Sequence, residues 1–114
     1  MAMYVKVFAL EARTTNATGT PIISWERHDS AHYVIDHPNV GGGFTVGVYG
    51  KDPLSGFEYL LLSQNIVASG HTVMKIGPDY TAGTGVAKDY IPYQTVVNVT
   101  ASGTNFYSIG ASYI

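Results

Sequence analysis

The C-terminal stretch Tyr93-Gln94-Thr95-Val96-Val97-Asn98-Val99-Thr100 runs through Ser102-Gly103-Thr104-Asn105 into Phe106 to Ile114, and it sets the fold class. Two runs that alternate with a period of two, on either side of a short Ser/Gly/Thr/Asn cluster, are the pattern of two strands joined by a turn. Tyr93, Thr95, Val97 and Val99 fall on one side of the first run. Tyr107, Ile109, Ala111 and Tyr113 share a face of the second, opposite Phe106, Ser108, Gly110 and Ser112. The spacing predicts a β-hairpin, with Ile114 docked in the sheet rather than frayed.

The same period recurs upstream. Val5, Val7 and Ala9 alternate with Tyr4, Lys6, Phe8 and Leu10, and Phe44, Val46 and Val48 alternate with Thr45, Gly47 and Tyr49. Shorter strands fit Ile22 to Trp25, Ala31 to Asp36 and His71 to Ile76. Thr14 to Pro21 reads as a connection. Pro38 is expected to block the strand before it, and Gly41-Gly42-Gly43 to free the backbone for a turn or bulge. Gly50-Lys51-Asp52-Pro53-Leu54-Ser55-Gly56 has hairpin-loop chemistry, because Pro presets φ while Asp, Ser and Gly satisfy or relax a turn. Phe57 to Ser63 returns as a strand; a helix over 57–68 fits less well, since Gln64 and Asn65 interrupt its apolar stripe. Residues 77–92 carry Gly, Pro, Asp and Thr with little periodicity, and a loop that long in a small domain is usually functional or disordered. About eight antiparallel strands at ten-residue spacing predict an all-β sandwich or jelly-roll, one domain over residues 1–114.

Composition narrows function by exclusion. The 114 residues include six Lys and Arg against eight Asp and Glu, for a net charge of −2, with 46% hydrophobic and 12% charged residues. That is neither a disordered tail nor a basic nucleic-acid binder. Leu60-Leu61-Leu62 is the longest aliphatic run, far short of the roughly 20 residues of a membrane helix, so no membrane partner is expected. The N-terminus enters its strand pattern without an apolar leader, so no secretory signal is expected. With no Cys there is no disulfide, thiolate nucleophile or Cys-bound zinc.

Candidate chemistry is sparse. His28, His32 and His37 lie among Glu26, Asp29 and Asp36, but on a strand residues four apart are separated by about 13 Å, too far to share one ion. They read as polar edge-strand or interface histidines, with no metal site. Asp52, Asp79 and Asp89 sit in turns, no Ser occupies a Gly-x-Ser-x-Gly elbow, and Gly41-Gly42-Gly43 and Gly83-Thr84-Gly85 lack the Lys, Ser or helix start of a phosphate cradle. No catalytic residue and no cofactor are expected, and the chain reads as a non-enzyme. Trp25, Tyr80, Tyr90 and Tyr93 could stack on sugars, or could simply rest their rings on apolar surface with the hydroxyl in water. Asn16-Ala17-Thr18 and Asn98-Val99-Thr100 match glycosylation sequons, patterns that arise often by chance. Few charges, many Tyr and Thr and Gly-rich loops fit a surface that packs against copies of itself or a larger partner.

The strand 43–49 leading into Lys51-Asp52-Pro53-Leu54-Ser55-Gly56, followed later by Ile91-Pro92-Tyr93-Gln94-Thr95-Val96-Val97-Asn98-Val99, resembles the small all-β virion proteins of tailed bacteriophages. It is similar to the capsid decoration or cement proteins, with a strand, an Asp/Gly turn, then a Leu-Pro-x-Gly-like turn before a Val-rich close. The chain departs from that pattern in having Tyr93-Gln94 where Gly-Gln is expected, and only Phe57 can serve as the aromatic after the first turn. The resemblance covers about half the chain. It implies a β-sandwich that binds a capsid surface, commonly as a trimer, without enzymatic activity. The expected function is thus a phage structural protein located in the virion, bound to the major capsid protein and to its own copies, with no nucleic acid. The expected contact residues are Tyr80, Thr81, Lys88, Asp89 and Tyr90 in the long loop and Asp52, Pro53 and Leu54 in the turn, with Trp25 and the His28 to His37 segment second. The alternatives are a carbohydrate-binding or host-adhesion module, or a tail or baseplate subunit.

Overall fold

In a computed structural model, residues 2–24, 28, 30–77 and 91–114 are described. Among them are nine strands and no helix: β1 (Met3–Arg13), β2 (Ala17–Thr18), β3 (Ile22–Ile23), β4 (Ala31–Val40), β5 (Phe44–Lys51), β6 (Glu58–Ile66), β7 (Gly70–Ile76), β8 (Gln94–Ala101) and β9 (Asn105–Tyr113). They form two antiparallel sheets, β1-β9-β4-β7 and β2-β8-β5-β6, with β3 also paired to β8. β2 and β3 are one strand broken at Thr20-Pro21. Gly19 N–H donates to Val97 O between the two pieces and Ser24 N–H to Tyr93 O after them, while Pro21 has no N–H to give. Counted so, the eight strands pair as a long ribbon, β5 with β6, β4 with β7, β2/β3 with β8 and β1 with β9. That ribbon is rolled so that β4 also pairs β9 and β5 also pairs β8, which is jelly-roll topology.

Alternation supplies the core. Tyr107, Ile109, Ala111 and Tyr113 on β9 and Val97 and Val99 on β8 are all buried, facing Tyr33 and Ile35 of β4 and Val46 and Val48 of β5. Phe44 of β5 and Tyr107 of β9 stack across the two sheets with centroids 4.6 Å apart. Ile114 is docked as expected, exchanging both backbone hydrogen bonds with Ser30.

Four expectations are corrected. The segment Ser102 to Asn105 is no hairpin turn: β8 and β9 lie in different sheets, and these residues carry the chain across the sandwich. Pro38 does not end its strand, because β4 continues to Val40 through a bulge in which His37 and Pro38 face a single residue of β9. Ala17 and Thr18, inside the expected connection, pair with Val99 and Asn98. In β1 two register shifts against β9 break the expected alternation, so Phe8 turns partly inward while Ala9 and Leu10 are exposed. A further bulge in β6 leaves neighbouring Leu61 and Leu62 both buried.

The crossing at 102–105 is locked to the one at 41–43. Asn105, fully buried, accepts backbone N–H bonds from Gly41, Gly42 and Gly43 at 3.1–3.3 Å and donates to Gly43 O and Ser102 O. The two backbones approach so closely that a Cβ on Gly41 would sit 2.1 Å from Thr104 O, and one on Gly42 2.1 Å from Ser102 O. Gly41 and Gly42 are therefore set by close packing, and Gly43 by its left-handed φ of +91°.

Candidate functional site

The β5–β6 hairpin ends in residues 52–57, and its order is written in local chemistry. Asp52 N–H donates to Phe57 O and Gly56 N–H to Asp52 O, which closes the turn. The Asp52 carboxylate accepts Leu54 N–H through Oδ1 and the Ser55 hydroxyl through Oδ2 at 2.6 Å, and Ser55 Oγ in turn accepts Phe57 N–H. Those donors, the Ser55 hydroxyl above all and then Leu54 N–H, hold the Asp52 carboxyl below its ordinary value. Pro53 restricts φ, and Gly56 takes the left-handed φ of +77° that closes the loop. What this turn presents is apolar: Leu54 is 95% exposed and Phe57 66%, the latter stacked on Tyr59. At the base, Lys51 and Glu58 pair with each other at 3.9 Å.

At the other end of the same two strands lies a shallow cleft of about 380 Å³. It is bounded by the turns at Gly42, Ser102 and Val67 and floored by Thr45, Asn65 and Ala101, and none of the described residues lining it is charged. Thr45 donates its hydroxyl to Asn65 Oδ1, tying β5 to β6 across the floor. Val67 stands on the rim, 82% exposed. A second cleft, of about 400 Å³, opens at the β1 bulges beside Lys6, Leu10 and Gly110.

On the outer face of the β1-β9-β4-β7 sheet, β9 offers only Ser108, Gly110 and Ser112 beyond Phe106, with Tyr4 and Lys6 of β1 on one side and His32 of β4 and Lys75 of β7 on the other. Gly110, Val34 and Val73 sit side by side in register across this face, with both valines about half exposed.

Of the expected contact residues, the structure places Asp52, Pro53 and Leu54 together at the hairpin tip, where Asp52 is the organiser and Leu54 the presented side chain. Tyr80, Thr81, Lys88, Asp89 and Tyr90 lie outside the described residues, as does Trp25. The histidines are spread over different environments. β4 is internal to its sheet, so His32 and His37, which lie on it, are not edge-strand residues. His28 is buried edge-on against Tyr113, His37 is buried with Nε2 2.9 Å from Thr72 Oγ1, and His32 lies on the outer face. Asp36 pairs instead with His71, at 3.1 Å. Among the described residues no three His, Asp or Glu side chains converge on one point, and no helix is long and apolar enough to cross a membrane. Asn98 of the second sequon is half-buried in a central strand with Oδ1 sealed from solvent, and Asn16 Oδ1 already accepts Ala101 N–H. Phe57 and Val67 were missed in sequence. The hint for Phe57 was an aromatic placed directly after a turn glycine, and nothing local marked Val67.

The class defined so far is an all-β jelly-roll sandwich with an apolar hairpin tip. The sequence matches no family model and no curated protein. A particular protein sharing the fold is the SPBc2 prophage-derived protein YomS, whose crystal structure aligns over 99% of this chain and 94% of its own, with a TM-score of 0.57 and 10% identity. Looser alignments are found with a Bacillus endospore appendage structure (TM-score 0.42, 11% identity, 96% and 89% covered) and with a chain of infectious bursal disease virus Gx strain (0.43, 8%, 99% and 30%). The first shows a shared fold along nearly the whole of both chains; the other two fall below the level at which likeness decides anything.

Proposed function

We propose that this chain is a non-enzymatic structural protein of a phage particle, which decorates or cements the capsid by binding the major capsid protein and its own copies. The observation that carries the reading is the hairpin tip: Leu54 and Phe57 are held out to solvent by a turn whose polar groups are already satisfied internally. A rigid apolar projection costs little entropy to dock and serves no purpose inside its own fold, so it fits an anchor for another protein surface. The low charge of the chain and the full-length fold likeness to a prophage-derived protein support the same reading. Weak single contacts suffice in such a role, because many copies engage one particle at once.

The test is to band phage particles from the source strain on a density gradient and ask by mass spectrometry whether the chain travels with them in fixed ratio to the major capsid protein. A chain found only in the soluble fraction overturns the reading. Particle association of the wild type that is lost in Leu54→Asp supports both the reading and its anchor. Binding on a glycan array with no particle association would replace it with the carbohydrate-binding alternative.

A further inference from the structure

We propose that two copies of this chain pair antiparallel along their β7 edges, continuing the β1-β9-β4-β7 sheet across a two-fold axis at Val73. This pairing rests on the self-association in the functional reading above, and it leaves the β5–β6 tip to the capsid.

Among the described residues the two sheets have four edges, and an edge strand can add another strand unless something interrupts it. Three of the four are interrupted. β1 carries two bulges against β9, β2/β3 is broken at Thr20-Pro21, and β6 is bulged opposite Val48 and Tyr49. β7 alone is unbroken: Gly70 to Ile76 hold one continuous register with His37 to Ala31 of β4, and no Pro lies among them. Its outward backbone follows from the alternation of an antiparallel ladder. Ser30 and Ile114 exchange both hydrogen bonds, so in β4 His32, Val34 and Asp36 bond toward β9, whereas Ala31, Tyr33, Ile35 and His37 bond toward β7. Their partners there are Ile76, Met74, Thr72 and Gly70. The N–H and C=O groups of His71, Val73 and Lys75 are therefore directed away from the sheet, and all three residues are exposed.

Lys75 is the one guard that β7 carries, and it selects the partner. Antiparallel pairing about Val73 is the two-fold register that engages all three outward residues, Val73 with the partner's Val73 and His71 with the partner's Lys75 in both directions. It lengthens the Gly110, Val34 and Val73 row into its own copy. It also sets the partner's Lys75 in the row of Asp36 and His71, two strands or about 10 Å from Asp36 and within reach of a Lys side chain. Each of the two rows then brings a carboxylate to an ammonium, and both groups stay on the outer face at the solvent, so no charge is buried. Within one chain Asp36 and Lys75 cannot do this, because four strand positions, about 13 Å, separate their rows. A foreign apolar strand would offer the Lys75 ammonium nothing, whereas a second copy of this chain brings Asp36.

The purified chain is compared with Val73→Pro, Asp36→Lys and Lys75→Glu by analytical ultracentrifugation over a concentration series, with circular dichroism confirming the fold. The Val73 N–H points away from β4, so Pro at that position removes no bond of the existing ladder. Asp36 and Lys75 lie on the outer face. The wild type is expected to form a dimer and stop there, since a two-fold contact occupies the edge of both copies. Each variant alone should weaken the dimer tenfold or more, Val73→Pro by removing an edge donor and the other two by setting like charges in both rows. A one-to-one mixture of Asp36→Lys with Lys75→Glu should restore it, because each row again holds one charge of each sign.

A wild type that stays monomeric at concentrations on the order of 100 µM overturns the inference, as does one that forms trimers or open-ended chains. A folded Val73→Pro that dimerises as tightly as the wild type would put the contact elsewhere. A mixture no more associated than its two components would refute the register, and it decides alone if Val73→Pro does not fold. These measurements contain no particle, so failure here leaves the capsid-binding reading to its own gradient experiment.

Discussion

The phenolic oxygen of Tyr113 lies 2.7 Å from that of Tyr33 and, on its other side, 2.6 Å from the hydroxyl of Thr95. Tyr33 and Tyr113 belong to neighbouring strands of one sheet and Thr95 to the other, so a chain of three hydroxyls crosses the core between the sheets. All three residues are fully buried, and the two rings meet edge to face. Tyr113 is the middle member. Tyr113→Phe leaves both Tyr33 and Thr95 without that partner and is expected to cost about 1–3 kcal/mol, whereas Tyr33→Phe keeps the Tyr113–Thr95 bond and should cost less. Urea denaturation of the two variants checks the order; equal losses would contradict it.

Burial pushes the Tyr33 phenol well above its ordinary value of 10.0, and burial also raises Tyr113. Below pH 10 these phenols are neutral folded and unfolded alike, so they impose no pH dependence. Above it the unfolded chain ionises while the folded one resists, so stability falls as pH rises toward the folded values. Unfolding curves between pH 8 and pH 11 should show this decline, and the slope should diminish when Tyr33 is replaced by Phe.

Asn105 holds three glycine N–H groups of a loop more than sixty residues away in sequence. Asn105→Ala takes the side-chain acceptor from Gly42 and Gly43 N–H at this part-buried crossing, while Gly41 N–H keeps Thr104 O, and is expected to lower stability by about 1–3 kcal/mol. Gly42→Ala places a methyl 2.1 Å from Ser102 O, a clash with backbone that cannot swing aside, and should cost as much or more. Thermal melts of both variants, set beside an exposed control such as Val67→Ala, make the measurement.

At the hairpin tip the carboxyl of Asp52 is lowered from 3.8, chiefly by the Ser55 hydroxyl and next by Leu54 N–H. Because the folded value is the lower one, the order of the turn is present above pH 4 and is lost as pH falls through the depressed value. The amide resonances of Leu54 and Ser55 should titrate with a midpoint below 3.8, and Asp52→Asn should abolish that titration. A midpoint at or above 3.8 would deny the carboxylate its organising role.

Arg13 fills the distorted part of β1, where its guanidinium donates to Ala9 O and Tyr107 O and lies over the rings of Phe8 and Tyr107. Arg13→Lys keeps the charge but cannot reach both carbonyls from one planar group, and should cost about 1 kcal/mol or more. Hydrogen exchange in β1 is the sensitive readout, with protection falling there before it falls in β5 or β8.

Much of the architecture was legible from sequence, for a definite reason. Alternation along a strand is a property of adjacent residues, so the strands at Phe44–Lys51, Gln94–Ala101 and Asn105–Tyr113 could be read with their buried faces. The β5–β6 turn was equally readable, since Asp52, Pro53, Ser55 and Gly56 satisfy one another within six residues, and with it Leu54 as a presented side chain. Bulges escaped, because an inserted residue is defined against its partner strand: Leu61 and Leu62 are both buried only because β5 fixes the register opposite them. The cleft escaped too, as Val67 acquires its setting from turns at Gly42 and Ser102 that are distant in sequence.

By itself, then, the sequence determined that this is an all-β chain of about eight strands, and which face of most of them is buried, since those properties depend on neighbours one and two residues away. The tertiary structure alone decided which strands pair. Ser102 to Asn105 has the composition of a hairpin turn, yet Asn105 binds the glycines at 41–43 and the chain crosses to the other sheet. A turn sequence specifies that the chain reverses; which strand then lies beside it is fixed by hydrogen bonds and packing between residues that meet only once the sandwich has closed.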